Sequence, residues 1–293
     1  MAQPTESRHQ INGAELCLFE WPGEDPPLLF VHATSMHARC WDQVIQHLSG
    51  RHAYSLDMRG HGRSTVHDPP YEWRRFGEDV AALASALDLR AAVGIGHSMG
   101  GHAVTLAAAL DPPRFGALLL VDAVISDRQR DQPSGEPQRA MSSNTRRSSF
   151  ASPDEMFKRY ENRSPFVTWD RAALRDYCEY GLLPAADGDG FTLACPPDTE
   201  LAVYAGMSGS DIFDEIATIT APVRVLRARD RQDGEARFGS STSLPDLASR
   251  FTASVAADDV QLHDNSHHIP MESPGVVAQH VDEMADAARR TRG

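Results

Sequence analysis

The pentapeptide Gly96-His97-Ser98-Met99-Gly100 is the part of this sequence best suited to chemistry. It spells G-x-S-x-G, follows the apolar run 91–95 and precedes an Ala/Leu-rich segment, 101–110, that predicts a helix. A serine at a strand-to-helix turn is typical of a nucleophile, because small neighbours let the backbone fold tightly beneath an exposed hydroxyl. Ser98 is therefore the candidate nucleophile, and a flexible glycine-rich turn is the alternative.

A serine hydroxyl is a weak nucleophile at neutral pH, so this chemistry needs a histidine base and a carboxylate that orients the base. Histidines cluster near the C-terminus at His263, His267 and His268, directly after the last predicted strand. Together with Asp264 they could instead hold zinc, since imidazole and carboxylate are common zinc ligands. The serine motif already accounts for a histidine here and no second cluster completes a zinc site, so we expect a base and no metal.

Short apolar runs predict the strands that must position these groups. They alternate with helical segments, as a parallel sheet with crossover helices requires. The predicted strands are Leu28–Val31, Ala53–Leu56, Val93–Ile95, Ala117–Val121, Val223–Leu226 and Val260–Leu262. Apolar residues at helical spacing predict one helix before the serine motif, at Val80, Leu83 and Leu87, and a C-terminal one at Val277, Val281, Met284 and Ala288.

The alternation of strands and helices fails between about residues 126 and 220, where aromatic residues and Gly/Pro punctuation predict a mostly helical insertion. We therefore divide the chain into a core, residues 1–125 and 221–293, and a cap, residues 126–220. An insertion at this point would stand over the strand ends that carry Ser98. We interpret it as a cap that shapes the pocket and excludes water, with a surface elaboration that never contacts substrate as the alternative.

Length and charge limit the class of protein. The 293 residues suit one large α/β domain with an insertion. The chain has 28 Lys and Arg against 41 Asp and Glu, a formal charge of −13 that is spread along the sequence. Nucleic acids and anionic membranes attract a concentrated positive field, so neither is expected as a partner.

The N-terminus is polar, and no stretch approaches the roughly 18 continuous apolar residues of a membrane span. We therefore expect a cytoplasmic protein. Cysteines occur at Cys17, Cys40, Cys178 and Cys195, far apart and without a C-x-x-C pair. This spacing favours buried thiols over a disulfide framework or a structural zinc site.

Several segments resemble the α/β-hydrolase superfamily, in the order usual for that family. They are Val31–Thr34, Asp57–Ser64, Gly96–Gly101 and His267–Pro274. The resemblance implies the α/β-hydrolase fold, a mostly parallel central sheet flanked by helices, with a helical cap inserted after the sixth strand. It also implies that His267 is the base, because family members commonly carry His-x4-Glu-x-Pro, and His267, Glu272 and Pro274 match that spacing. His268 is the weaker alternative.

The segment Asp57–Ser64 holds Asp, Arg, His and Ser together and invites a catalytic interpretation. We interpret it as structural, a role that the resemblance also implies. Gly60 and Gly62 would turn the chain, while Asp57 and Arg59 would brace the loop.

Two aspartates are candidates for the acid that orients the base. In this superfamily the acid usually follows the strand after the insertion, where Asp230 stands among arginines and without the family's glycine. Certain dehalogenases and lactonases are similar except that the acid follows the preceding strand, where Asp122 comes directly after Val121. A charged residue that closes an apolar strand must face a partner or the open edge of the sheet. We favour Asp122 over Asp230.

Acyl transfer also needs donors aimed at the developing oxyanion. The backbone N–H of Met99, at the start of the predicted helix, would supply one donor, helped by the helix dipole. The resemblance implies a second donor in the loop after the first predicted strand. By that match the donor is Thr34, with Ala33 beside it in place of the family's glycine.

We expect an enzyme that cleaves a carboxylic ester or lactone through an acyl-Ser98 intermediate, without a cofactor. Cap residues Tyr160, Phe166, Trp169 and Tyr177 favour an apolar small-molecule substrate, although packing within the cap accounts for them equally well. A carbon–carbon bond hydrolase, an amidase or a cofactor-free perhydrolase would use the same triad. A non-catalytic ligand receptor of the same fold is the alternative outside enzymes. A homodimer is compatible with the sequence.

Overall fold

The computed structural model describes residues 3–48, 50–125, 146–186, 188–209, 211–232 and 237–290. Its strands are β1 (Thr5–Ile11), β2 (Ala14–Trp21), β3 (Glu24–Val31), β4 (Arg51–Asp57), β5 (Ala92–His97), β6 (Phe115–Val121), β7 (Ser149–Phe150), β8 (Leu182–Pro184), β9 (Phe191–Leu193), β10 (Val223–Ala228) and β11 (Ala257–Leu262). Its helices are α1 (Asp42–Gln46), α2 (Trp73–Ala86), α3 (Met99–Leu110), α4 (Pro153–Tyr160), α5 (Arg171–Tyr180), α6 (Pro197–Ala205), α7 (Phe213–Ile216), α8 (Ile269–Glu272) and α9 (Pro274–Arg290).

Within the described ranges, eight strands form one sheet in the order β1-β2-β4-β3-β5-β6-β10-β11. From β4 to β11 neighbouring strands run parallel, whereas β1 and β2 form an antiparallel hairpin that pairs with β4. The hairpin escaped the sequence analysis because β1 is largely exposed and polar. Its turn, Asn12-Gly13, has positive φ at both residues (48° and 79°) and is a known signal for a hairpin.

The strands that carry the site lie in the middle of the sheet, and every residue of β5 and β6 is buried. Helices cover both faces, with α2 and α3 on one side and α1 and α9 on the other. Strands covered on both faces need apolar side chains in both directions, which explains the continuous apolar runs. The predicted mostly parallel sheet, flanked by helices, is confirmed.

The segment between β6 and β10 contains α4 to α7 and also a small antiparallel sheet in the order β7-β9-β8. The sequence predicted a mostly helical insertion without this small sheet, because two- and three-residue strands are too short to show a period in sequence. Ser152 caps α4 by accepting a hydrogen bond from the Glu155 N–H (3.2 Å). The predicted start of the insertion, at residue 126, lies outside the described residues.

The inserted segment packs on the loop that follows β3. One apolar cluster joins cap side chains such as Phe157 and Leu174 to Ala33, Met36 and Met271 of the core. In the part of the chain that is described, no helix is both long and apolar enough to cross a membrane. All four cysteines are buried and none forms a disulfide.

Candidate active site

Ser98 lies on a sharp turn between β5 and α3 with φ of +54°, a backbone conformation that few non-glycine residues adopt. The turn requires glycines, because a Cβ at Gly96 would overlap the carbonyl of Gly100. The Ser98 N–H donates to the Val121 carbonyl (3.0 Å), and the Ser98 carbonyl accepts from the Val124 N–H (3.1 Å). These bonds fix the turn against the end of β6, and Asp122 is the residue that directly follows this strand.

The structure brings Asp122, and not Asp230, to His267. The fully buried Asp122 Oδ2 lies 2.6 Å from His267 Nδ1. The side chain of Asp230 is 77% exposed and forms an ion pair with Arg227 at 3.7 Å. The preference for Asp122 over Asp230 as the partner of His267 therefore agrees with the geometry.

This contact fixes the tautomer of His267. An ionised carboxylate only accepts hydrogen bonds, so Nδ1 carries the proton and Nε2 keeps a free lone pair. His97 Nε2–H donates to the backbone carbonyl of His267 (2.8 Å), and the two rings lie 4.9 Å apart. Burial, together with the neighbouring His267, lowers the pKa of His97 to about 3, so His97 is neutral when it makes this bond. Sequence analysis missed this function of His97, the second residue of the serine motif.

Asp122 also accepts hydrogen bonds from the last residue of β10 and from the loop that follows it. Its Oδ1 accepts from the Ala228 N–H (3.0 Å) and the Ser241 hydroxyl (2.5 Å), and its Oδ2 accepts from the Thr242 N–H (2.8 Å) and hydroxyl (3.2 Å). Burial raises the pKa of Asp122, but the hydrogen bond and charge of His267 and the donors of this loop outweigh burial and hold the pKa below its usual range. The run Ser240–Ser243, close after a strand end, was the available sequence signal for these donors.

Glu272 explains the spacing that identified His267. Its carboxylate accepts from the Ser266 N–H (2.7 Å), the Ser266 hydroxyl (2.6 Å) and the hydroxyl of the cap residue Thr168 (2.7 Å). Glu272 thereby holds the turn directly before His267 and links it to the cap. This function requires a carboxylate five residues after the base, on the first turn of the next helix.

The other residues of the histidine cluster do not converge on a metal. His263 and Asp264 are exposed, and the buried His268 ring lies 5.5 Å from the His267 ring. Burial lowers the pKa of His268 well below its usual value. Across the described ranges, no three His, Cys, Asp or Glu side chains come together as a metal site needs.

The two residues predicted to supply the oxyanion donors contact each other through their side chains. Thr34 follows β3, the strand next to β5, and its hydroxyl contacts the sulfur of Met99 (3.4 Å). His32 braces this loop: its Nε2 accepts from the Met58 N–H (3.0 Å), so Nδ1 carries the proton and donates to the Ala33 carbonyl (2.7 Å). The loop that carries Thr34 is thus braced by His32 and contacts the first residue of α3 through side chains.

The four predicted pocket residues form one aromatic cluster. Tyr160 stacks on Phe166 with ring centroids 4.4 Å apart, and Phe166 contacts both Trp169 (4.9 Å) and Tyr177 (5.6 Å). Trp169 then reaches His268, with centroids 5.3 Å apart. The cluster therefore extends from the cap to the residue beside His267. A small cavity under the cap is lined by other residues: His32, Ala33, Met36, Cys40, Trp41, His97, Pro270 and Met271.

The loop after β4 has the structural role that was predicted for it. Asp57 accepts from the Ala38 N–H (2.6 Å), and Arg59 forms a two-pronged ion pair with Asp79 (2.5 and 2.8 Å). Gly62 has φ of +56° and packs so closely on the Asp57 carboxylate that a Cβ would overlap it. These groups brace the loop and leave none of its charges for catalysis.

Residues 28–280 match the family model described as the alpha/beta hydrolase family. This chain belongs to the α/β hydrolase family. The α/β hydrolase is 31% identical, over 227 residues, to a non-heme chloroperoxidase of Streptomyces lividans, which covers 75% of this chain and 80% of the relative. It is also 31% identical over 128 residues to an esterase of Mycobacterium tuberculosis, 43% of each chain.

Solved structures agree with the family assignment. The crystal structure of E-2-(acetamidomethylene)succinate hydrolase superposes on this α/β hydrolase with a TM-score of 0.77, covering 97% of this chain and 99% of that one. The sequences are 21% identical, so this likeness shows the fold. Together, the family and the fold place the protein among the hydrolases.

Proposed function

We propose that this protein is a serine hydrolase that cleaves a carboxylic ester or lactone of an apolar small molecule, with Ser98, His267 and Asp122 as its triad. One observation carries the proposal: the buried Asp122 carboxylate lies 2.6 Å from His267 Nδ1, and the end of β6 that carries Asp122 is hydrogen-bonded to the strained turn of Ser98. A turn of this kind exposes the serine hydroxyl, and a histidine in this tautomer can accept its proton.

In the first half-reaction, His267 Nε2 takes the proton of the Ser98 hydroxyl as the oxygen attacks the carbonyl carbon. The carbonyl π electrons move to its oxygen, and the N–H groups of Met99 and Thr34 would stabilise that negative charge. When the tetrahedral adduct collapses, the ester C–O bond breaks and His267 gives its proton to the leaving alkoxide. For a lactone, the released hydroxyl stays attached to the acyl chain.

In the second half-reaction, His267 takes a proton from water, and the resulting hydroxide attacks the acyl-Ser98 carbonyl. Collapse of this second adduct releases the carboxylic acid, and the proton returns to Ser98. Throughout, Asp122 holds the Nδ1–H tautomer and offsets the positive charge that appears on His267 in each transition state. No group outside the chain is needed.

The apolar substrate class is supported by the lining of the small cavity, where Ala33, Met36, Trp41 and Met271 supply apolar surface beside His97. The aromatic cluster of the cap does not line this cavity: its rings are packed on one another and mostly buried, so they form the core of the cap. The esterase among the relatives fits cleavage of an ester. Aryl esters and lactones of small ring size are the first substrates to measure.

A second candidate is perhydrolysis on the same triad. A relative that matches 75% of this chain is named a non-heme chloroperoxidase. In this reaction peroxide would attack acyl-Ser98 in place of water, releasing a peracid and returning the proton to Ser98 through His267. Trapping of peracid from an ester and peroxide, measured against acid release in the same mixture, separates the two acceptors.

Burst kinetics with p-nitrophenyl butyrate test the proposal. We expect a burst of nitrophenol that matches the enzyme concentration, followed by slower turnover, and a mass increase that maps to the peptide containing Ser98. Ser98→Ala should abolish both signals and lower kcat by about 10⁶-fold.

The unfolding temperature of Ser98→Ala must match the parent protein, so that loss of activity reports loss of the hydroxyl alone. Retained turnover in Ser98→Ala would remove the acyl-enzyme mechanism. Tight binding of esters without turnover by the parent protein would instead favour a receptor. A parallel assay with δ-valerolactone, followed by acid release, separates lactone from ester preference.

A further inference from the structure

The loop after β10 contributes hydroxyl groups at the place where the family usually carries its acid. Ser241 and Thr242 both contact Asp122, and the loop is tied to the strand end by the bond from the Ser241 N–H to the Arg229 carbonyl (2.9 Å). The exposed Asp230 of the same loop has no such contact with His267 among the described hydrogen bonds. The loop therefore supports an acid that comes from the neighbouring strand.

The direction of each hydroxyl is fixed by its second partner. Ser241 Oγ accepts from the Ser243 N–H (3.2 Å), so its own proton points to Asp122 Oδ1 (2.5 Å). Thr242 Oγ1 lies 3.0 Å from His267 Nδ1 and 3.2 Å from Asp122 Oδ2. Because Nδ1 carries a proton, Thr242 Oγ1 is a second acceptor for this N–H, beside Asp122 Oδ2. Thr242 therefore donates its own hydroxyl proton to Asp122.

These hydroxyls donate to lone pairs of Asp122, and a buried carboxylate needs donors at all of its lone pairs. An ionised carboxylate has about four lone-pair sites, and burial without donors would drive it to the neutral acid. The Ala228 and Thr242 N–H groups and His267 Nδ1 supply three donors, and the two hydroxyls bring the total to five, so every acceptor position of the carboxylate has a donor. A neutral Asp122 could not offset the charge on His267.

We infer that Ser241 and Thr242 are positioning residues of the triad, whose hydroxyls hold the Asp122 carboxylate against His267 and keep it ionised while His267 gains and loses a proton. The inference rests on the proposed serine hydrolase function and adds two residues to its machinery. Neither hydroxyl touches the reacting atoms. Both act through Asp122.

Two variants remove one hydroxyl each. Thr242→Val keeps the shape and the backbone N–H, and Ser241→Ala removes a single oxygen. We expect each to lower kcat by about 10-fold, since the lost bonds are to a charged group. Donors to the carboxylate weaken its hold on a proton, so their loss raises the proton affinity of the Asp122–His267 pair. The acidic limb of the kcat/KM profile should therefore move up by about 0.5 to 1 pH unit.

Two matched variants act as controls. Thr242→Ser keeps the hydroxyl and should restore the acidic limb of the parent protein. Ser243→Ala removes a buried hydroxyl from the same loop that makes no hydrogen bond within the described residues, and it keeps the N–H that Ser241 uses. It should leave kcat and the acidic limb unchanged.

A purely structural role would lower the unfolding temperature of Thr242→Val and Ser241→Ala but leave their acidic limb and kcat at the parent values, and that result overturns the inference. Failure of the proposed function has a different signature, because Ser98→Ala would then stay active. If Ser98 is acylated in the parent protein while the limb of both hydroxyl variants is unmoved, the hydroxyl inference alone fails.

Discussion

Two neighbouring strand ends in this protein each present an aspartate, and the surroundings of the two side chains differ in every respect that matters to a catalytic acid. Asp122 after β6 is fully buried and accepts hydrogen bonds from His267 and from the loop beyond β10. Asp230 after β10 is 77% exposed and lies 3.7 Å from Arg227, whose stronger partner is Asp259 at 2.7 Å. Both strands run parallel and pair directly with each other.

The difference shows what an orienting acid needs besides its position at the carboxyl edge of the sheet. Asp122 is surrounded by hydrogen-bond donors that the folded protein already holds in place without substrate. Its charge is therefore fixed in position, and its pKa stays low despite burial. Asp230 is solvated, and water and arginine would screen its charge. The donors in the loop, more than the strand that carries the acid, decide which carboxylate can serve the base.

Among the variants that test this comparison, Asp122→Asn should have the largest effect on activity. The amide would offer an N–H where His267 now donates its own, which favours the wrong tautomer of the base. We expect kcat to fall by about 10⁴-fold, as in other triads that lose their acid. The amide N–H would also face donors of the loop, so the free energy of unfolding should fall by about 1–3 kcal/mol.

Stopped-flow acylation and a urea titration measure the two effects of Asp122→Asn separately. A loss of activity that scales only with the fraction unfolded would mean that Asp122 supports the fold and not the base. A fall in kcat of less than about 10-fold in fully folded protein would contradict its role as the triad acid.

The sequence was sufficient for the parts of the site that depend on local geometry. The glycines around Ser98 predicted the turn because only residues without a Cβ fit there, and the continuous apolar runs predicted the buried parallel strands. The resemblance to the family supplied the spacing from His267 to Glu272, and the structure accounts for it, since Glu272 holds the turn before the base through contacts only six residues apart.

Contacts between segments that lie far apart in the sequence could not be predicted in the same way. Asp122 and Asp230 looked nearly equivalent in sequence, because the donors that separate them come from Ser241 and Thr242, over a hundred residues after Asp122. The hairpin of β1 and β2 was missed for a related reason. Its edge strand is stabilised by pairing with β2, and its polar side chains carry no apolar pattern.

Glu272→Gln adds a third carboxylate to the comparison of Asp122 with Asp230. Glu272 holds the turn before His267 and does not contact the His267 ring in the way that Asp122 does. Its amide N–H would meet either the N–H or the hydroxyl of Ser266, which now both donate to Glu272. We expect kcat/KM to fall by about 10-fold, because His267 would be misplaced, and the free energy of unfolding to fall by about 1–3 kcal/mol.

Thr168→Val is the matched control for Glu272→Gln, since it removes the contact from the cap to Glu272 and otherwise only a local bond from the Thr168 hydroxyl to the Pro165 carbonyl (2.9 Å). Steady-state kinetics on both variants should show the larger loss in Glu272→Gln. Equal losses would mean that Glu272 acts by holding the cap, and the assignment of Glu272 to the turn before His267 would then be wrong.

The smallest effect is expected for Asp230→Asn. Among the described residues its carboxylate pairs with Arg227, at a distance where an exposed pair contributes little, and Arg227 keeps its two-pronged ion pair with Asp259 (2.7 and 2.8 Å). We therefore expect kcat and kcat/KM within about twofold of the parent protein, with an unchanged unfolding temperature. Because Asp230 occupies the family's usual position for the acid, this variant is the direct counterpart of Asp122→Asn. A loss above about 100-fold in folded Asp230→Asn would mean that the loop after β10 delivers its own acid to His267 during turnover, and the difference between the two strand ends would no longer explain the choice of acid.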